Sequence, residues 1–413
     1  MKHLAIKNTG LSAKGEWMQQ LLKGNGEIPY LRSKKGLLFS TVTLEKIIDE
    51  EIRHDNFLLT KDKSRSIRTY SSGEQRKALL RYQIAQKPDF LVLDNPFDCL
   101  DLASVRQLKN ELSQVARQTT IVQLFKRQDD ILPFISHALV MRQGGLTKCI
   151  PLADLGLNRS PNQQSNLNFD IPESIKPFNV LPQVLIKMNR VCVSYDNKII
   201  VRDICWEIKQ GEFWHLKGPN GSGKTTLLSM IYGDNPKAYG QDLFIFGHKK
   251  GTGESVWQLK EMIGYFTPSI TDNFKGSHSA KQMIISGLTD SIGLYQKPSD
   301  RQNKLALDWL KVLAMEEEAH QRFVDLSQIK QRLVLIARAM IKHPPLLILD
   351  EPSTGLDDDS ALLMVSLIQQ IAQQSDTAIL YVSHRTEQGL HPQYTFELIK
   401  CEAGFTGKVR NPK

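Results

Sequence analysis

The sequence is poor in cysteine and has no long apolar segment. Its five cysteines are scattered over 413 residues, and none forms a C-x-x-C pair. This excludes a disulfide scaffold or a cysteine-based zinc site and predicts a reducing, cytoplasmic compartment. No apolar run approaches the roughly 20 residues of a membrane helix, and the N-terminus lacks the apolar core of a signal peptide. We therefore expect no direct membrane span. A role at the inner face of the membrane would be peripheral, through a partner subunit.

The charge of the chain limits its partners. The formal net charge is +9, but no run of five or more basic residues is present. A generic surface excess together with a phosphate-binding role explains this charge better than a nucleic-acid partner does. Apolar residues make up 41% and charged residues 23% of the chain, which is typical of a soluble globular protein. The length predicts two domains.

The chain contains an internal repeat with an offset of 256 residues. Ser71 precedes Asp94 by the same distance as Ser327 precedes Asp350, and similar residue types surround both pairs. Between the copies, a segment rich in Asn, Gln, Ser and Pro indicates a linker. Short apolar strands alternate with amphipathic helical stretches in each copy, which predicts an α/β fold. The predicted boundaries are 1–150 for the first half, 151–184 for the linker and 185–408 for the second half.

The second half contains a loop that fits the phosphate-binding pattern G-x-x-x-x-G-K-[ST]. It follows a predicted strand and opens a predicted helix, as this motif requires. Its glycines let backbone N–H groups point at phosphate oxygens, and the helix N-terminus adds partial positive charge. Lys224 is expected to reach the β- and γ-phosphates of ATP, and Thr225 to bind Mg²⁺. The predicted nucleotide-binding residues of the loop are Gly218, Pro219, Asn220, Gly221, Ser222, Gly223, Lys224, Thr225 and Thr226.

Two acids and a histidine follow apolar strands of the second half. Asp350 and Glu351 end one strand, where two adjacent carboxylates would be unfavourable without a cation. Asp350 is predicted to hold Mg²⁺ through water, and Glu351 to polarise the attacking water. His384 follows another strand and is predicted to contact the γ-phosphate, although a lone histidine there is usually structural. Tyr195 is a candidate for stacking on adenine, with a core tyrosine as the alternative.

The order of these motifs resembles the nucleotide-binding domain of ATP-binding-cassette (ABC) ATPases, which are P-loop NTPases. The resemblance covers about residues 185–400 and, weakly, 1–145. It implies an aromatic adenine loop, a Walker A loop, a signature, a Walker B strand and a switch histidine, with ATP and Mg²⁺ as ligands. A segment beginning at Gly287 resembles in particular the two-cassette ATPases associated with bacterial molybdate-transport genes.

The second half departs from the family at two places. Ile329 and Lys330 replace a glycine and the glutamine of the family signature L-S-G-G-Q. Isoleucine does not allow the close backbone approach of glycine, so this signature should not hold a γ-phosphate. Thr267 and the two residues after it stand where the family has a glutamine that senses Mg²⁺ and the transmembrane partner. This difference argues against the usual coupling to a permease.

The first half keeps a good signature. Ser71 and Gly73 match the serine and the required glycine of the family signature. Glu74 stands in place of the signature glutamine as an acidic variant. The three residues should begin a helix whose N-terminus can face a phosphate. An N-terminal capping box of Ser71 and Glu74 is a structural reading that is compatible with this role.

The other nucleotide-handling parts of the first half are damaged. Residues 8–15 resemble a relic of a phosphate loop in which Lys14 survives and Gly15 replaces the Mg²⁺-binding Ser/Thr. Asn95 replaces the catalytic glutamate, and Lys126 takes the place of the switch histidine. The first half is also about 46 residues shorter between phosphate loop and signature, which suggests a trimmed sheet or helical subdomain.

The family resemblance implies that two halves pair head to tail, so that each ATP lies between one Walker A loop and the opposite signature. By this rule, the loop relic, Asn95 and Lys126 share one site with the altered signature around Ile329. The other site combines the intact loop, acids and histidine of the second half with the signature of the first half. The sequence thus predicts an ATPase with one composite site, formed by intramolecular pairing; a homodimer is the alternative. The ATPase would energise transport of molybdate or another solute through a separate permease. The alternative is a soluble ABC ATPase acting on a macromolecular partner such as nucleic acid or the ribosome.

Overall fold

The computed structural model of the protein divides into two compact units. The first is Met1–Asn162 and the second is Gln163–Lys413. The described residues are 2–7, 13, 15–25, 28–60, 66–98, 100–142, 145–155, 170–178, 180–274, 276–291 and 293–410. Among these residues, no helix combines the length and the apolar character needed to cross a membrane.

The first unit is an α/β structure. In chain order its elements are β1 (Leu4–Lys7), α1 (Glu16–Leu22), β2 (Gly36–Phe39), α2 (Thr41–His54), α3 (Ser72–Ala85), β3 (Phe90–Asp94), α4 (Leu102–Val115), β4 (Thr120–Phe125), β5 (His137–Arg142) and β6 (Gly145–Pro151). They form a sheet with the strand order β2-β3-β4-β1-β5-β6. Neighbouring strands are parallel except β5 and β6. The central strands are buried on both faces, as parallel strands usually are.

The second unit is a larger α/β structure with two strands of twelve residues at its start. Its strands are β7 (Val184–Tyr195), β8 (Lys198–Lys209), β9 (Phe213–Lys217), β10 (Leu243–Ile245), β11 (His248–Lys249), β12 (Ile263–Phe266), β13 (Leu346–Asp350), β14 (Ala378–Val382), β15 (Tyr394–Lys400) and β16 (Phe405–Arg410). Its helices are α5 (Lys224–Tyr232), α6 (Val256–Met262), α7 (Ser269–Asn273), α8 (Ala280–Ile285), α9 (Asp300–Val312), α10 (Gln328–Met340) and α11 (Asp358–Gln374). The sheet order is β11-β10-β7-β8-β16-β15-β9-β14-β13-β12.

The two sheets share a six-stranded frame in the same spatial order. Strands β2-β3-β4-β1-β5-β6 of the first unit correspond to β12-β13-β14-β9-β15-β16 of the second. In the described part of the first unit, no strand corresponds to β7, β8, β10 or β11. Among the described residues between the frame strand β2 and the signature, α2 is the one α-helix, where the second unit has α7, α8 and α9. Of these elements, β10, β11 and the helices lie between the phosphate loop and the signature, which is the stretch predicted to be shorter in the first half.

The offset of 256 residues recurs in individual contacts. Arg76 donates to the carbonyl of Pro96, and Arg332 donates to the carbonyl of Pro352. Likewise, Asp101 caps α4 by accepting from Ser104 N at 2.8 Å, and Asp357 caps α11 by accepting from Ser360 N at 2.8 Å. The repeat is therefore structural as well as sequential, and the predicted tandem α/β architecture is confirmed.

Part of the predicted linker packs against the second unit. Ile171 and Ile175 contact the apolar core that includes α10 and α11. The backbone N–H of Ile171 donates to Gln374 Oε1 at 2.9 Å, at the end of α11. The composition of this region predicts a linker. Composition alone does not show that two of its isoleucines contact a core.

Candidate functional site

The phosphate loop connects β9 with α5 at the carboxyl edge of the sheet, where ligands bind in open α/β sheets. Gly221 and Gly223 adopt left-handed backbone angles, with φ of 74° and 97°. A Cβ atom at Gly223 would lie 2.5 Å from Val201 Cγ1, so a side chain would clash there. Lys224 Nζ donates to the carbonyls of Gly218 at 2.8 Å and Pro219 at 3.1 Å. The lysine thus already lies over the loop that is predicted to hold phosphate.

The acidic pair lies at the end of β13, on the same edge of the sheet. Asp350 is the last residue of the strand, and Glu351 leaves it with a left-handed backbone, φ 48°. Burial, with the negative charge of Glu351, raises the pKa of Asp350 to about 6, whereas the hydrogen bond from Tyr265 and the charge of Lys224 act in the opposite direction. A cation would relieve this accumulation of negative charge.

These residues fit a magnesium ion. Mg²⁺ prefers oxygen ligands, keeps several waters and takes only one or two carboxylates from the protein. Asp350 supplies a carboxylate on the strand, and the exposed residue Thr225, at the start of α5, supplies a hydroxyl. The predicted ligand set is therefore chemically suitable for Mg²⁺.

His384 and Glu351 form a hydrogen-bonded pair. His384 Nδ1 lies 3.1 Å from Glu351 Oε1, and since the carboxylate accepts, Nδ1 carries the proton. Thr354 Oγ1 donates to the other carboxylate oxygen at 3.4 Å. The His384 side chain is 8% exposed. Its Nε2 atom is buried and has no hydrogen-bond partner within the described part of the chain. The Nδ1 atom of the imidazole is thus held by the glutamate, and the Nε2 atom is left for a ligand.

Tyr195 lies at the end of β7, next to a tight turn to β8. It is 39% exposed, so it is not a core tyrosine. Its hydroxyl accepts from Asn235 Nδ2 at 2.9 Å, and Lys237 Nζ lies 5.7 Å from its ring centroid. The ring is therefore oriented by its neighbours and keeps an accessible surface, as a base-stacking residue requires.

The signature of the first unit forms a capping box at the start of α3. Ser71 Oγ accepts from Glu74 N at 3.4 Å, and Ser71 N donates to Glu74 Oε2 at 2.8 Å. A Cβ atom at Gly73 would lie 2.9 Å from Ser104 Oγ, so the helix start packs closely on α4. The Ser71 hydroxyl also donates to Glu74 Oε2 at 2.8 Å. A phosphate-binding role therefore requires this hydroxyl to exchange the carboxylate for a phosphate oxygen at the same helix N-terminus.

The equivalent segment of the second unit is different. Ser327 is the N-cap residue of α10, but its side chain makes no capping hydrogen bond. Ile329, which stands at the position of Gly73, packs against the apolar core. Lys330 forms an ion pair with Glu318. This segment presents an apolar side chain and a lysine already engaged by an acid where the first unit presents a glycine and Glu74.

The structure describes two of the positions at which the first unit departs from the family pattern, Asn95 and Lys126. Asn95 adopts φ 45°, as Glu351 does at the equivalent position, and its amide donates to Asp94 Oδ1 at 2.8 Å. Strand register aligns Lys126 with His384, because each lies two residues beyond the strand partner of the aspartate. The predicted loop relic at 8–12, together with Lys14, lies outside the described residues.

Two residues near the site were not singled out from the sequence. Tyr265 on β12 donates its hydroxyl to Asp350 Oδ2 at 3.4 Å. His215 on β9 is buried and lies 3.2 Å from the carbonyl of Ser383, the residue before His384. Both contacts join strands that are far apart in the chain. The only sequence signal was a polar residue inside an otherwise apolar strand, and that signal does not reveal the partner.

Comparison with known proteins agrees with this geometry. The family described as "ABC transporter" matches residues 201–354. The chain is 37% identical over 369 residues to the ABC transporter ATP-binding protein ModF of Escherichia coli (strain K12), covering 84% of this chain and 74% of ModF. It is 35% identical over 206 residues to the ABC transporter ATP-binding protein YlmA of Bacillus subtilis (strain 168), covering 50% and 78% of the two chains.

Among solved structures, a chain of the model of ribosome-bound archaeal Pelota and ABCE1 matches with a TM-score of 0.64 at 15% identity, covering 99% of this chain and 75% of that one. At this identity the likeness shows the fold alone. The motif order, the geometry around the phosphate loop and the similarity to ModF lead to one conclusion: this chain belongs to the family of ABC transporter ATP-binding proteins and is an ATPase of the ABC type.

Proposed function

We propose that the chain hydrolyses ATP at one composite site, made by the phosphate loop, acids and histidine of the second unit and by the signature of the first unit. The observation that carries this proposal is the hydrogen bond between His384 and Glu351, with the second imidazole nitrogen buried and unpartnered among the described residues. The equivalent positions of the first unit hold Asn95, whose amide is bonded to Asp94, and Lys126.

The residues would act as follows. Lys224 leaves the loop carbonyls and binds the β- and γ-phosphates, and the loop N–H groups hold the remaining oxygens. Thr225 and, through water, Asp350 would hold Mg²⁺, which supplies charge neutralisation at the phosphates. Glu351 orients and polarises the attacking water, and His384 holds Glu351 and contacts the γ-phosphate. Tyr195 stacks on the adenine.

The first unit contributes at the other side of the γ-phosphate. The Ser71 hydroxyl and the N–H of Gly73 would donate to its oxygens, where negative charge develops during in-line transfer. Because Ile329 and Lys330 cannot repeat this contact, a second site would lack both its signature and its glutamate. The two halves of one chain would therefore pair around a single ATP.

Steady-state ATP hydrolysis by the wild type, Glu351→Gln and Gly73→Asp tests this proposal. Both variants should lose at least about 100-fold in kcat, since each removes or blocks a group that acts on the γ-phosphate. Asn95→Ala and Ile329→Ala, at the equivalent positions of the other half, are the matched controls and should retain the wild-type rate. Wild-type activity in Gly73→Asp would show that the first unit does not complete the site, so that either two chains pair through their second units or the tandem arrangement is wrong.

The partner is proposed at a coarser level. Because ModF is named as an ABC transporter ATP-binding protein, we expect a cytoplasmic chain that docks peripherally on a separate permease for molybdate or another solute. One feature favours a soluble ATPase on a macromolecular partner: Thr267 stands at the place of the glutamine that contacts permeases in this family. Co-purification with a membrane protein would support the permease, whereas salt-sensitive retention of RNA would support the alternative.

A further inference from the structure

A buried histidine connects the strand of the phosphate loop with the segment that carries His384. His215 lies on β9, three residues before Gly218, and is 1% exposed. In the parallel register of β9 and β14 it is the partner of Tyr381, and the two rings meet edge to face with centroids 5.2 Å apart. The imidazole is thus fixed in the sheet directly below the site.

The hydrogen bond of His215 has a defined direction. Its Nε2 atom lies 3.2 Å from the carbonyl oxygen of Ser383. A carbonyl only accepts, so Nε2 carries the proton and donates. Burial, with the nearby charge of Lys217, lowers the pKa of His215 to about 3, so the ring stays neutral at physiological pH. The donor is therefore permanent and does not switch with pH.

This bond acts at the place where the chain leaves the sheet. Strand β14 ends at Val382, and the backbone bond of the next residue, from Ser383 N to Leu216 O, is long at 3.4 Å. The carbonyl that receives His215 belongs to the peptide bond between Ser383 and His384. A donor on that carbonyl fixes the orientation of the peptide and hence the direction from which His384 reaches Glu351.

We infer that His215 is a positioning residue for ATP hydrolysis: through the Ser383 carbonyl it holds His384 at a fixed distance from the phosphate loop. The inference rests on the proposed role of His384. It adds that the two parts of the site that face the γ-phosphate, one following β9 and the other following β14, are joined by a side chain as well as by the sheet.

The first unit supplies an internal comparison. Its strands β1 and β4 have the same register, in which Ala5 pairs with Gln123 where His215 pairs with Tyr381. Ala5 has no side-chain donor, and Gln123 bonds instead to the carbonyl of Asp130 and the N–H of Leu132. The half whose switch position holds Lys126 therefore lacks the tether as well. Both copies fold the six-stranded frame, so the fold itself does not require a histidine at this position.

The test uses the full chain and compares His215→Leu, which removes the donor but fills similar space, with His215→Gln, which restores an N–H donor. His215→Leu should lower kcat by about 10- to 100-fold, as expected for a reacting group misplaced by about 1 Å, with less than a twofold change in KM for ATP. His215→Gln should recover most of that loss. Trp214→Phe is the matched control: it removes the bond from Trp214 Nε1 to Glu212, on the same strand, without touching Ser383.

A double variant separates positioning from simple destabilisation. In the His384→Ala background, His215→Leu should cause no further loss of kcat, because the group that it positions is gone. If the two losses multiply, or if folded His215→Leu keeps wild-type kcat, the inference is wrong. Should His215→Leu not fold, His215→Met gives the same comparison. Wild-type activity in His384→Ala would instead remove the proposed role of His384, whereas a loss confined to His384→Ala would leave that role intact and reject only the tether.

Discussion

The serine at the start of α3 is predicted to have two effects of different size. As an N-cap, Ser71 satisfies the N–H of Glu74, and Ser71→Ala should lower the free energy of unfolding by about 1 kcal/mol. In the proposed composite site its hydroxyl, which donates to Glu74 Oε2 at 2.8 Å, would instead donate to the γ-phosphate. A hydrogen bond to a charged group contributes about 1.5–3 kcal/mol, which corresponds to a fall in kcat of about 10- to 150-fold. The effect on kcat should therefore be much larger than the effect on stability.

The chain contains its own control for this substitution. Ser327 is the equivalent residue, and its side chain makes no capping bond. Ser327→Ala should change stability by less than about 0.5 kcal/mol and leave kcat unchanged. Phosphate release at saturating Mg-ATP and denaturant unfolding measure the two quantities. Wild-type kcat in Ser71→Ala would refute the cross-unit contact, and equal losses in both variants would mean that both signatures act.

Three further predictions address other groups of the site. The raised pKa of Asp350, about 6, means that stability of the nucleotide-free protein should fall as pH rises from about 4 to 6, because the folded state binds the extra proton. Asp350→Asn should remove this fall and add about 2–3 kcal/mol at about pH 8; unfolding curves at both ends of the window check it. Tyr195→Ala should raise KM for ATP about tenfold with kcat unchanged, while Tyr195→Phe stays near wild type. Asn95→Glu should leave the stoichiometry at one ATP per chain in equilibrium dialysis, and two would contradict the single-site proposal.

Local signals in the sequence were sufficient for much of the fold. The offset between Ser71 and Ser327 predicted a repeat that the structure extends to individual contacts, such as Arg76 with Pro96 and Arg332 with Pro352. The phosphate loop could be placed between a strand and a helix because glycine spacing, an apolar strand and a helical stretch are adjacent in the chain. The roles of the site residues stay predictions until they are measured.

Long-range contacts were beyond the reach of the sequence. His215 and the Ser383 carbonyl are 168 positions apart, and only the pairing of β9 with β14 brings them together. The same limit applies to Tyr265, which reaches Asp350 through the pairing of β12 with β13. Nor did composition show that Ile171 and Ile175 would contact a core. For His215 and Tyr265 the partner is chosen by strand order, and for the two isoleucines by helix packing; residue patterns along one segment encode neither.

The first unit retains the part of the fold that a signature needs. Arg76 ties α3 to the loop after β3 through the carbonyls of Pro96 and Asp98, and Gly73 packs against Ser104 on α4. These contacts depend on β3 and α4 and on none of the antiparallel strands that carry Tyr195 in the second unit. A half without that layer lacks the proposed base-stacking residue but keeps the contacts that hold the start of α3. If the first half only completes the site of the second, as proposed, it can lose its own nucleotide-binding parts; the proposal thus accounts for two halves that are unequal in length and yet keep the same six-stranded frame.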